Sequence, residues 1–220
     1  MLPFSLYEHP VWQSVPEQVM RPGGLTVTEQ ALAYCDLQSG MRVLDVGCGT
    51  GATLGYVTAK YGYAVLAWMS QRGLLTRRGR PIRMPGGCVR KGKSLPFASE
   101  SMDAEFYPNP LSILMKHWLS ECARTFKHGG WLYRHRFACN EMGGLKRFRQ
   151  LPSGTCITAA MPKNDILEKI ESCGLQVSIW QDCSETLKEF SICTLTTAAK
   201  IDPFDLHIAA AKAKLGYYFW

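Results

Sequence analysis

Residues 43–53 read VLDVGCGTGAT, and this stretch constrains the fold of the chain more than any other. A short apolar run leads into three glycines that alternate with other residues. Glycine adopts positive φ without steric cost and lets a ligand approach the backbone closely. A strand, a glycine-rich turn and a helix together form a common geometry for holding a nucleotide-like ligand. The stretch therefore predicts an α/β sheet with a ligand site at the end of its first strand.

Three classes of ligand compete for such a loop. A Walker phosphate loop needs Gly-Lys-Ser/Thr, which is absent here. A dinucleotide loop reads G-x-G-x-x-G/A, which Gly47, Gly49 and Ala52 satisfy, but it also needs an acid about 20 residues on, where the chain has Met69. Asp45 would repel a pyrophosphate, whereas it suits a ligand with an ammonium and a sulfonium group, such as S-adenosylmethionine. The alternative is a plain strand-to-helix turn in which Asp45 only caps the helix.

The rest of the chain alternates strand and helix patterns, which predicts a single α/β domain over residues 1–220. Strands are expected at 41–47, 63–69, 81–89, 101–107, 130–137, 175–180 and 217–220. Helices are expected at 26–36, with a Thr26-x-x-Glu29 capping box, and at 50–62, 71–78, 111–126, 163–174, 184–199 and 202–216. The domain divides into an N-terminal cap segment (1–40), a cofactor-binding core (41–140) and a C-terminal part (141–220).

The run VLDVGCGTG resembles motif I of the class I S-adenosylmethionine-dependent methyltransferases, in their common small-molecule, type 11-like form. Three more segments resemble the family: RPGGLTVTEQALAYCDLQSGMRVLDVG at 21–47, similar to a small bacterial subgroup, KSLPFASESMDAEF at 93–106 and ECARTFKHGGWLY at 121–133. The resemblance implies a Rossmann-like sheet of seven strands, parallel except for the last, with helices on both faces. The helical stretch before the last strand would then be an insertion.

The same resemblance implies S-adenosylmethionine as the cofactor and assigns residues to its site. These are Asp45, Gly47, Cys48, Gly49, Thr50 and Gly51 of motif I, with Met69, Ser70, Leu95 and Asn109 beyond it. The family has an acid for the ribose where this chain has Met69, and often another acid where it has Lys91. Because charged hydrogen bonds are worth about 1.5–3 kcal/mol each, we expect weaker cofactor binding than is usual for the family.

Three functions remain compatible with these departures. The pattern favours an active S-adenosylmethionine-dependent methyltransferase that acts on a small molecule. The second is a degenerate methyltransferase-fold protein with weak or no cofactor binding. The third is a methyltransferase whose basic segment also holds RNA or a phosphate-rich ligand.

The third function rests on the distribution of charge, which is +7 in total. The window from Val46 to Ser99 contains no Asp or Glu and nine Lys or Arg residues. A solvated basic face is the simpler interpretation of a charge run, but so long a window without acids predicts a real surface feature. Its candidate contacts with a ligand are Arg77, Arg78, Arg80 and Arg83.

Methyl transfer has no universal catalytic residue, because the sulfonium leaves readily and positioning supplies most of the rate. A base is needed only where the nucleophile starts protonated. Weak candidates are His135, in the fifth predicted strand, and Tyr7 and His9 in the cap segment. An ordinary packing role is the simpler interpretation of each. The acceptor atom and the substrate are not fixed by the sequence.

Composition limits the remaining classes. No run of about 18 apolar residues occurs, so no membrane span is expected, and the N-terminus lacks the features of a secretory signal. Nine cysteines show no CxxC or paired Cys/His spacing. We therefore expect reduced thiols in a cytoplasmic protein and no metal site. Nothing in the sequence indicates an oligomeric state.

Overall fold

The computed structural model describes residues 19, 21–49, 51–68, 76–77, 80–81, 94–107, 115–139, 160–187 and 215–219. These residues form one six-stranded sheet with helices packed on it, and a separate pair of short strands. Within these ranges no helix is long and apolar enough to cross a membrane.

The strands are β1 (Arg42–Val46), β2 (Ala64–Trp68), β3 (Thr76–Arg77), β4 (Arg80–Pro81), β5 (Met102–Tyr107), β6 (Phe126–Cys139), β7 (Gln181–Asp182) and β8 (Leu215–Phe219). The large sheet has the order β2-β1-β5-β6-β8-β7. Its first four strands run parallel, whereas β8 is antiparallel to both of its neighbours. This confirms the predicted Rossmann-like sheet with an antiparallel last strand. Five of the seven expected strands are present in the described ranges, and nearly all of the one predicted at 81–89 lies outside them.

Helices lie on both faces of the sheet, as predicted. They are α1 (Gly24–Leu32), α2 (Ala52–Tyr61), α3 (Met115–Thr125) and α4 (Lys163–Glu171). Val27 of α1 and Val57 of α2 belong to one buried cluster. Trp118 of α3 and Ile166 of α4 belong to the clusters of the opposite face. The sheet is therefore buried between two helical layers.

Strand β6 sends alternate residues to the two faces, as a pleated strand must. Tyr133 and Phe137 lie in the cluster beneath α1 and α2, whereas Leu132 and Ala138 contact the α3 and α4 side. His135, which stands between Tyr133 and Phe137 in this alternation, therefore lies on the α1/α2 face. The same face receives the side chain of Asp45.

The helix expected at 71–78 is wrong where the chain is described. Thr76–Arg77 pairs with Arg80–Pro81 as two antiparallel strands. The connection between them is the dipeptide Arg78-Gly79. A two-residue connection that contains glycine favours a tight hairpin over a continued helix.

The capping box of the first helix is also wrong. The N-cap of α1 is Gly23, with a φ of 72°, and no side chain caps the helix. Glu29 instead forms an ion pair with Lys60 of α2. The helix ends at Leu32, earlier than expected.

Residues 175–180, expected as a strand, form no strand. Leu175, Val177 and Trp180 are partly buried against the α4 cluster, which accounts for their apolar pattern without any ladder. Pairing with β8 begins only at β7. Gly216, expected at the end of a helix, lies within β8, and the helices predicted at 184–199 and 202–216 fall mostly outside the described residues.

Candidate functional site

The glycine loop between β1 and α2 depends on positive φ. Gly47, Gly49 and Gly51 have φ values of 87°, 54° and 77°, which residues with a Cβ rarely adopt. Gly51 is also the N-cap of α2, so the unpaired N–H groups of the first helical turn begin at this loop. The N–H of Gly47 donates to the carbonyl of Trp68 at 2.7 Å, which fixes the loop to β2. The backbone itself therefore requires the three alternating glycines.

Asp45 lies in β1, two residues before the loop, and is 1% exposed. Its Oδ1 atom has no hydrogen-bond partner among the described residues. Burial raises the pKa of Asp45 to about 7, and the positive charge of Arg21 opposes that rise. The alternative, that Asp45 caps α2, does not hold, since no side chain caps that helix. An unpartnered buried carboxyl group is costly, so this one suits a ligand.

A pocket of about 170 Å³ opens beside Asp45, and its lining residues are Arg21, Asp45, Thr53, Phe106, Tyr133 and His135. The sheet register explains part of this set, because Asp45 pairs with Phe106 and Phe106 pairs with Tyr133 across three strands. The pocket therefore places a carboxyl group, a guanidinium and an imidazole side by side.

Arg21 is one of four pocket residues that the sequence analysis missed, with Thr53, Phe106 and Tyr133. Its guanidinium donates to Thr53 Oγ1 of α2 at 3.1 Å and to Thr28 Oγ1 of α1. Its Nε is buried without a hydrogen-bond partner in the described part of the chain. Two hydroxyl groups thus hold a positive charge against the face that carries Asp45. The only sequence signal was its place in the family-like RPGG segment.

His135 lies in the pocket and is 6% exposed. It stands one residue beyond the last β5–β6 pair, Tyr107 with Arg134, toward the carboxyl edge of the parallel strands. Its Nδ1 is hydrogen-bonded to the hydroxyl of Tyr217 in β8, and its Nε2 has no partner within the described ranges. Burial, aided by Arg21 and Arg134, lowers the pKa of His135 well below its ordinary value.

Two predicted contact residues are buried outside the lining of the pocket. Cys48 is 7% exposed, and burial beside the Asp45 carboxyl raises its thiol pKa. Leu95 packs with the α3-side cluster; its N–H donates to Glu121 and its carbonyl accepts from Arg124. The structure gives both residues a packing role, and their contact with a cofactor stays a prediction.

The remaining predicted residues are not placed by the structure. Arg77 and Arg80 are described only as paired positions of the hairpin β3–β4. Across the described residues, no group of His, Cys, Asp or Glu could hold a metal ion. The predicted contacts outside the described ranges are Tyr7, His9, Thr50, Met69, Ser70, Arg78, Arg83 and Asn109.

Residues 44–134 match the family model of the methyltransferase domain. No curated protein matches the sequence significantly. The matched segment begins within β1 and ends within β6, so it contains the glycine loop, Asp45 and Tyr133.

Solved structures match nearly the whole chain at low identity. Geranyl diphosphate C-methyltransferase from Streptomyces coelicolor A3(2), in complex with Mg2+, geranyl diphosphate and S-adenosyl-L-homocysteine, is 13% identical with a TM-score of 0.67, over 100% of this chain and 84% of that one. Haemonchus contortus phosphoethanolamine N-methyltransferase 2, in complex with S-adenosyl-L-methionine, is 15% identical with a TM-score of 0.66, over 97% of this chain and 55% of that one. The [4+2]-cyclase SpnF is 21% identical with a TM-score of 0.62, over 88% and 77%.

The fold is that of the class I methyltransferases. Within it, residues 44–134 are similar to the methyltransferase domain of the matching family model. This confirms the family resemblance that motif I carries.

Proposed function

We propose that this protein is an S-adenosylmethionine-dependent methyltransferase that acts on a small molecule. The observation that carries the proposal is the buried Asp45 carboxyl group, whose Oδ1 is unpartnered among the described residues and lies in a pocket two residues before three glycines of positive φ. The matching methyltransferase domain supports it.

The charged groups of the pocket are complementary to those at the amino-acid end of this cofactor. That end carries an ammonium group and a carboxylate group, and the pocket supplies the carboxyl group of Asp45 and the guanidinium of Arg21. Charge-assisted hydrogen bonds of both kinds are the strong ones in proteins. No ion pair joins Asp45 to Arg21 in the described residues, so each can serve a separate group. The glycine loop would then lie along the amino-acid part of the cofactor.

The bound cofactor supplies an electrophilic methyl group on a sulfonium. The contribution of the chain is to hold the reactants in line, which converts a bimolecular step into an effectively unimolecular one. Asp45 and Arg21 fix one end of the cofactor by charge. The α1/α2 layer, through Thr28 and Thr53, fixes the direction of Arg21.

Calorimetric titration of the purified protein with S-adenosylmethionine and S-adenosylhomocysteine tests the proposal. We expect both to bind, and Asp45→Ala to weaken S-adenosylmethionine binding at least about tenfold, the lower end of a charged hydrogen bond. Thermal unfolding of the variant shows whether the domain stays folded. Unchanged affinity in a folded Asp45→Ala variant would show that the loop assignment is wrong.

A phosphate-bearing small molecule is the substrate class that we propose to test. Two of the similar structures are named for phosphorylated small molecules, geranyl diphosphate and phosphoethanolamine. In this chain, Arg77 and Arg80 are directly paired positions of the β3–β4 hairpin. Both belong to the acid-free window from Val46 to Ser99, whose positive charge favours an anionic ligand. A phosphate-bearing substrate and RNA are the two ligands to compare.

The second candidate function is a methyltransferase-fold protein that does not transfer methyl groups. It is favoured by one comparison, because the similar structure SpnF is named as a [4+2]-cyclase, and a fold does not fix an activity. The missing ribose acid at Met69 is consistent with it. Absence of cofactor binding in the titration would favour this second candidate over the first.

We propose a cytoplasmic location. All six cysteines that fall in the described residues are free thiols. Free thiols are usual in reducing compartments such as the cytoplasm. Fractionation of cells that express a labelled protein would test it.

A further inference from the structure

The pair formed by His135 and Tyr217 is not explained by packing alone. In the antiparallel ladder His135 stands opposite Phe219, and Phe137 stands opposite Tyr217, so Tyr217 is the diagonal neighbour of His135. Tyr217 is 1% exposed and His135 is 6% exposed. Their ring centroids lie 5.5 Å apart, and the Tyr217 hydroxyl is hydrogen-bonded to His135 Nδ1. The buried hydroxyl of Tyr217 is thus hydrogen-bonded to one nitrogen of the imidazole.

This hydrogen bond selects a tautomer. A phenol, with a pKa of about 10, is a far better proton donor than a neutral imidazole. Tyr217 therefore donates its O–H to an unprotonated Nδ1, and the single proton of the neutral ring resides on Nε2. The lowered pKa of His135 is consistent with a neutral ring near pH 7.

His135 lines the pocket together with two other residues that carry unpartnered donors. Tyr133 OH and Arg21 Nε, like His135 Nε2, are buried without hydrogen-bond partners in the described part of the chain. Three donors and the carboxyl group of Asp45 therefore belong to residues that line one pocket. Leaving such groups unpaired is costly, so the arrangement calls for a ligand with several acceptor positions close to one cation.

We propose that His135 donates a hydrogen bond from Nε2 to the carboxylate of the bound cofactor, and that Tyr217 is the positioning residue that holds His135 in the donating tautomer. This rests on the proposed function and deepens it. It replaces the hypothesis that His135 is a base, because a nitrogen that already carries a proton cannot accept one. The proposed hydrogen bond would make the site selective for ligands that carry an α-carboxylate.

The test compares S-adenosylmethionine with decarboxylated S-adenosylmethionine, which keeps the amine, the sulfonium and the adenosine but lacks the carboxylate. We expect His135→Leu to weaken binding of S-adenosylmethionine about tenfold and to leave binding of the decarboxylated ligand unchanged. His135→Gln, which retains a side-chain N–H donor, should restore part of the loss. Tyr217→Phe, which keeps the ring but not the hydroxyl, should give a smaller loss with the same ligand selectivity.

The tautomer itself is measured by two-bond ¹H–¹⁵N correlation spectra of the histidine rings in the free protein, with His135→Gln for assignment. We expect the Nε2–H form at about pH 7, and a change toward a mixture in Tyr217→Phe. An Nδ1–H form or an imidazolium at this pH in the wild type would overturn the proposal. So would an equal loss of both ligands in His135→Leu. Failure of the wild type to bind either ligand would instead refute the proposed function, and this inference with it.

Discussion

The buried carboxyl group of Asp45 makes cofactor binding dependent on pH. Burial raises its pKa to about 7 in the free protein, so near neutral pH the group is partly protonated. An ammonium group is held only by the ionised form. We therefore expect the affinity of the wild type for S-adenosylmethionine to fall as the pH is lowered through 7, by up to about tenfold per pH unit.

Asp45→Asn removes this dependence and reveals its size. Loss of a charge-assisted hydrogen bond of about 1.5–3 kcal/mol predicts an affinity about ten- to a hundredfold weaker above pH 7. The same change should stabilise the free protein. The pKa of Asp45 in the folded state, about 7, lies above its ordinary value of 3.8, so ionisation destabilises the fold. Wild-type stability therefore falls as the pH rises from about 4 to about 7, and Asp45→Asn should recover a few kcal/mol above pH 7.

Glu105 supplies a matched control on the other face of the sheet. It is 0% exposed, and burial raises its pKa to about 7 as well. It accepts a hydrogen bond from Thr125 on the α3 side, away from the pocket. Glu105→Gln should therefore stabilise the protein above pH 7 in the same direction, yet leave the pH profile of cofactor affinity unchanged.

The assay is calorimetric titration with S-adenosylmethionine at about pH 6, 7 and 8, paired with urea unfolding of the free proteins. The reasoning is refuted if Asp45→Asn binds the cofactor within twofold of the wild type at about pH 8. It is also refuted if Glu105→Gln loses affinity as steeply as Asp45→Asn, because a general effect of buried carboxyl groups would then explain both.

Three further predictions concern the ribose side, the basic segment and one helix end. Met69→Asp should tighten cofactor binding about tenfold by restoring charged hydrogen bonds to the ribose; titration that shows no gain means another residue fills that role. Changing Arg77, Arg78 and Arg80 together to Ser should abolish binding of RNA or phosphorylated small molecules without loss of cofactor affinity. An RNA ligand should lose tenfold or more between about 50 and 200 mM salt, and absence of binding at the lower salt would leave only a solvated face. Gly62→Ala should cost about 1–2 kcal/mol in urea unfolding with unchanged cofactor affinity, since Gly62 has a φ of 68° and a Cβ there would meet Ser39 Oγ at 2.8 Å; a neutral result would contradict the strain argument.

The helix after the glycine loop could be predicted from the sequence because its limits are local. Gly51 and Gly62 bracket α2, and both have positive φ. The strand before it could be predicted for the same reason, since β1 is a short apolar run that ends at the first glycine. Local conformation and local sequence agree throughout this segment.

The pocket could not be predicted in the same way, because its residues meet only through tertiary structure. Tyr133 lies beside Asp45 because of the register of two strand pairs. No sequence pattern near Tyr133 predicts that register. Arg21 arrives through hydrogen bonds to two helices. Tyr217 reaches His135 only because β8 pairs antiparallel with β6. The sequence indicated the glycine loop, Asp45 and His135, but not the contacts that bring them together with Arg21, Tyr133 and Tyr217.

The position of β8 has a consequence for biosynthesis. β8 lies between β6 and β7 in the sheet, although it follows both along the chain. A ribosome therefore exposes β2, β1, β5 and β6 well before residues 215–219 emerge, and domains fold as they leave it. Throughout that interval the stretch of β6 that pairs with β8 lacks its partner strand, and its unpaired backbone groups can attach other nascent strands. Expression yield should thus depend on how quickly the last strand is delivered.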